Sequence, residues 1–189
     1  GAISSFIRDA SGRWQENQLI TDPAGRGFAV FGMAFLRRGD QLWSGAMGDH
    51  YRDVAGAGNV LVYERAGADA PWQFVRKFGM PEVEPGRGGF GQRLGLSGDI
   101  AAVSATRGEV KGEGRSVIYF MRNAAGDAPE TVATLESRSM GEVWRGRCFY
   151  SDRLFAFGHP RESGPGDKLH SGAVYVFPRS RFPQLFGKP

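Results

Sequence analysis

The feature that most constrains this chain is a fixed spacing. Four short apolar segments end at Arg8, Arg65, Arg122 and Arg179, and the steps between them are equal. The repeat is thus about 57 residues long, the scale of one supersecondary unit. Phe6, Tyr63, Phe120 and Phe177 keep the same step, as do the β-branched Ile3, Val60, Val117 and Val174. A chain that repeats itself at such a period builds one unit several times and buries its core between neighbouring units. Segments rich in β-branched and aromatic residues read as strands. Sustained 3.6-residue periodicity is lacking, so helix is expected to be scarce.

The intervals correspond as well. Phe31-Gly32 is followed by Gly39-Asp40 and then Gln41 to Ala46. Phe90-Gly91 is followed by Gly98-Asp99 and then Ile100 to Ala105. Arg145-Gly146, Ser151-Asp152 and Arg153 to Gly158 form the most degraded copy. Each reads as strand, tight turn, strand. A fourth strand is expected at Trp14–Ile20, Trp72–Phe78 and Thr131–Leu135. Four strands in each such unit make one propeller blade. The expected fold is therefore all-β: a β-propeller or partial propeller built of four-stranded antiparallel blades. Residues 1–189 read as a single repeat domain, with a half blade at 2–20 and blades at 28–79, 88–137 and 143–186. The 29 glycines, twice the usual share, suit short strands joined by tight turns. A closed ring takes about four to eight blades. Either the chain is a segment of a longer one, or copies associate to complete a ring.

Several functional classes lose support on composition. The net charge is +4, but the cations are scattered, with adjacent pairs only at Arg37-Arg38 and Arg76-Lys77. That pattern argues against a nucleic-acid partner. The single cysteine, Cys148, excludes an internal disulfide, and its apolar setting reads as buried and inert. No apolar run is long enough to span a membrane. No signal peptide is visible, although a chain beginning at Gly1 leaves a processed N-terminus open.

Local motifs yield to the repeat. Arg38-Gly39-Asp40 spells the cell-adhesion tripeptide, but its Gly-Asp matches the Gly98-Asp99 turn. Gly86-Arg87-Gly88-Gly89-Phe90-Gly91 resembles a phosphate loop, yet a strand rather than a helix follows it. A zinc site needs three or four converging ligands, and His50, His159 and His170 lie in the loops of two repeats. Trp14 and Trp72 recur at the starts of fourth strands, which points to packing between blades. There is no nucleophile elbow and no telling pair of carboxylates.

Taken together, Phe31-Gly32, Gly39-Asp40, Gly45-Ala46-Met47 and Gly58-Asn59-Val60-Leu61-Val62-Tyr63 resemble the FG-GAP repeat of integrin α-subunits. Phe90-Gly91, Ser97-Gly98-Asp99 and Val117-Ile118-Tyr119-Phe120 continue the resemblance. So do Gly158-His159-Pro160 and Gly172-Ala173-Val174-Tyr175-Val176-Phe177. The resemblance covers nearly the whole chain. It implies a propeller or a piece of one, binding a protein or glycan partner, in an extracellular or periplasmic setting. Some repeats of that family carry a calcium loop of Asp-x-Asp-x-Asp-Gly type, a motif absent here. Gly48 to Asp53 offers two carboxylates interleaved with His50 and Arg52, a poor match to a hard cation. The loops after the second strands are the expected binding elements: Asp49, His50, Tyr51, Arg52 and Asp53 in the first copy, and His159, Arg161, Glu162 and Asp167 in the third. The expected function is a non-enzymatic recognition scaffold. The alternatives are an assembly module whose blades are completed by another chain, and a metal-dependent hydrolase.

Overall fold

The computed structural model describes residues 1–25, 27–83, 88–110, 113–122, 129–137, 148–159 and 172–186. It is all-β. Strands β1 (Ala2–Arg8) and β2 (Trp14–Thr21) form a two-stranded sheet. Strands β3 (Phe35–Arg38), β4 (Gln41–Ala46), β5 (Asn59–Glu64) and β6 (Gln73–Phe78) form a four-stranded antiparallel sheet in sequence order. Strands β7 (Leu94–Ser97), β8 (Ile100–Val110), β9 (Glu113–Arg122) and β10 (Glu130–Ser137) repeat it. A third copy has three strands, β11 (Cys148–Tyr150), β12 (Leu154–His159) and β13 (Ala173–Pro178). Among the described residues the only helical element is a 3₁₀ turn at Pro183–Leu185.

The third copy was expected to be a full blade, and its fourth strand is replaced. Pro178 and Pro183 cannot donate to a ladder. The chain after β13 turns instead and buries Leu185 and Phe186. Phe186 lies two repeat steps after Trp72 and is as well covered, at 6% exposed against 7%.

Successive sheets pack face to face. Ile3 and Ile20 of the first sheet cover Leu42, Ala46, Leu61 and Tyr63 of the second. The opposite face of the second sheet, with Trp43, Val60, Val62 and Phe78, packs on Ala101, Val103, Val117 and Tyr119 of the third. The other face of the third, with Ala102, Ile118 and Phe120, packs on Tyr150, Phe155 and Phe157 of the fourth. First strands sit side by side, β7 touching both β3 and β11.

Where sheets meet, the backbones come close. Gly58 forms a parallel bridge with Phe90, and a Cβ on Gly45 would overlap the carbonyl oxygen of Gly91. Gly1 meets Phe31 as Gly58 meets Phe90. These contacts explain the recurring Phe-Gly: the phenylalanine fills the core and the glycine admits the neighbouring backbone.

Strand register refines the repeat. Gln41 opposes Glu64 in one sheet and Ile100 opposes Arg122 in the next. The first turns, Gly39-Asp40 and Gly98-Asp99, lie further apart than the arginines Arg65 and Arg122 do. Val60 therefore corresponds in space to Ile118, not to Val117. Because side chains alternate faces, a shift by one position puts Val60 and Val117 on opposite faces of their own sheets. Both line the same core because those faces meet. In the third copy Ser151 and Leu154 close the turn, so Asp152 stands where Gly39 and Gly98 stand.

The closing arginines have a shared task. Arg65 Nε donates to Asp40 at 2.8 Å and Arg122 Nε to Asp99 at 3.1 Å. With no acid at that turn position, Arg179 donates to the Asp152 carbonyl at 3.3 Å. Each arginine ties the end of a third strand to the turn joining strands one and two. This is the physical content of the constant arginine step.

Candidate recognition face

The loops after second strands and those between sheets emerge at the same end of the sheets. At that end residues 47–58 follow β4 and residues 22–34 enter β3.

The first of these loops is closed by its own backbone hydrogen bonds. Tyr51 and Val54 exchange backbone hydrogen bonds at 3.2 and 3.1 Å, closing a two-residue turn on Arg52 and Asp53. Both turn residues have positive φ, 47° and 64°. That is the mirror-image hairpin geometry, which asparagine, aspartate and glycine tolerate better than arginine. The Tyr51 ring lies against Gly79, where any side chain would collide with it.

The expected binding residues divide. Asp49 is buried rather than presented. Its Oδ2 accepts from Asn59 Nδ2 at 2.7 Å and lies 3.7 Å from Lys77 Nζ. The Asn59 amide also donates to the His50 carbonyl at 3.2 Å. Asp49, one of the expected binding residues, therefore anchors the loop to β5 and β6. His50, Arg52 and Asp53 are exposed and Tyr51 is half-buried, with the Arg52 guanidinium 5.5 Å from its ring centre. His159 ends β12 opposite Ala173, in the register position of Ala46 and Ala105. Arg161, Glu162, Asp167 and His170 lie outside the described residues, and no third loop can be assembled with the first.

In the first loop Asp49 Oδ2 faces Lys77, its buried Oδ1 has no hydrogen-bond partner among the described residues, Asp53 is exposed on the hairpin, and Arg52 adds a cation beside it. A calcium ion takes about six to eight oxygens. Among the described residues, three or more His, Cys, Asp or Glu nowhere gather to hold a metal.

The sequence reading did not find the most prominent side chain at this end. Phe28 is 97% exposed and has φ 63°; Val30, also exposed, has φ 56°. A β-branched residue in that region is a genuine outlier. The segment is held there by the first loop. Gly48 N donates to Ala29 O at 3.1 Å, and the Phe28 carbonyl sits so close to Gly48 that a Cβ would overlap it. Phe28, Val30, His50, Arg52 and Asp53 thus belong to two mutually braced loops. In the sequence Phe28 reads as one more aromatic of a blade, because positive φ leaves no mark there.

Among the described residues, Cys148, Tyr63 and Tyr150 lie in or against the core. Burial pushes the Cys148 thiol up, and Sγ donates to Leu94 O at 3.4 Å. Burial also raises Tyr63 and Tyr150, whose hydroxyls donate to the carbonyls of Thr21 and Leu185.

No protein-family model matches the chain, and no curated protein matches it.

Proposed function

We propose that the chain is a non-enzymatic recognition scaffold of β-propeller type, which takes a protein or glycan partner at the end carrying residues 22–34 and 47–58. The observation that carries this reading is Phe28, a fully presented aromatic on a backbone whose φ is costly and is held by a neighbouring loop. Aromatic and arginine side chains on rigid supports are the usual anchors of interfaces. Arg52 stands on the bracing loop, with Asp53 and His50 as polar neighbours. The succession of face-packed, antiparallel four-stranded sheets with adjacent first strands supports the propeller part. The FG-GAP resemblance supports a partner outside the cytosol. The test is a binding screen against glycan arrays and displayed ectodomains, repeated with Phe28→Ala and with Arg52→Ala/Asp53→Ala. A ligand whose affinity falls about tenfold or more in both variants supports the face. Ligands that bind all three proteins alike would refute it.

A second reading is assembly. Val174, Tyr175 and Val176 of β13 are 71%, 37% and 54% exposed, whereas Val60, Leu61 and Val62 of β5 are at 1% or less. This favours completion of the last sheet by further β-structure, and light scattering against the 20.6 kDa chain mass tests self-association.

A further inference from the structure

We draw no further inference here: the strongest candidate, the buried side-chain pair of Asp49 and Asn59 beneath the 47–58 loop, whose Oδ1 atoms have no hydrogen-bond partners among the described residues, belongs to the candidate face already described, and with Lys77 beside it and no third carboxylate, imidazole or thiol gathered there among the described residues it points to no ligand of its own.

Discussion

At the scale of single residues, the recurring arginine separates two kinds of ion pair. The Arg65 side chain is 10% exposed, bonded to Asp40 and stacked on Trp72. The Arg122 side chain is 40% exposed and reaches Asp99 and Glu130 across solvent. Solvent screening discounts the second pair, whereas the first combines a charge-assisted hydrogen bond with a covered cation–π contact. Arg65→Ala should therefore cost about 2 kcal/mol and Arg122→Ala less than about 1 kcal/mol, measured as urea midpoints at constant m. The buried phenols give a second test. Burial raises Tyr63 and Tyr150 above the usual value, so the native state keeps both protons where the unfolded chain has released them. Their contribution is complete below pH of about 10 and is lost as pH rises beyond it. Tyr63→Phe loses the bond to Thr21 and should be less stable than the parent at pH 8. That gap should close by about 1.4 kcal/mol per pH unit above pH 10, because the variant lacks this linkage. A gap that stayed constant to pH 11 would mean that the phenol ionises in the native state.

At the scale of elements, one kind of strand meets opposite fates. Val60 and Val174 both sit near the start of a third strand and share a sequence step, yet one is 0% and the other 71% exposed. Val60→Ala should cost about 2 kcal/mol, and Val174→Ala should fall within about 0.5 kcal/mol, in the same denaturation experiment. The contrast shows what could be read in advance. Strand identity was legible because β-branched and aromatic residues recur with the arginine that ties each turn. So was the four-strand order, because Gly39-Asp40 and Gly98-Asp99 punctuate it. Face assignment was not. The Gly-Asp turns are spaced more widely than the arginines, and bulges such as the one between Val62 and Tyr63 lie inside the ladders. A constant step cannot reveal on which side of a bulge a side chain falls. The candidate face was half legible. The 47–58 loop follows from the repeat, but the burial of Asp49 depends on Asn59 and Lys77, which stand on two later strands. The display of Phe28 depends on a backbone angle that no residue type announces.

At the scale of the whole molecule, the two ends of the row of sheets are unlike its middle. Internal faces are closed by neighbours, while the last sheet leaves Phe149, Val174 and Val176 exposed, and among the described residues no strand pairs with the outer side of β13. A flat apolar edge with unpaired amides and carbonyls is a template for further strands, and natural sheets usually blunt it with charge or proline. Pro178 closes this edge at one end only. Concentration should therefore decide the state of the protein. Near millimolar, the chain should scatter light as more than its 20.6 kDa mass, and dilution should return it to that mass. Val174→Lys/Val176→Lys places two cations on the uncovered face, where both side chains already meet solvent. The variant should stay at the mass of one chain at every concentration, with a melting temperature within about 2 °C of the parent measured dilute. A parent that remains a single chain at high concentration would assign the apolar edge of β13 no role in self-association. A variant that associates as strongly as the parent would place the contact elsewhere, with Phe6, Trp14 and Leu19 of the first sheet the next exposed apolar group to charge.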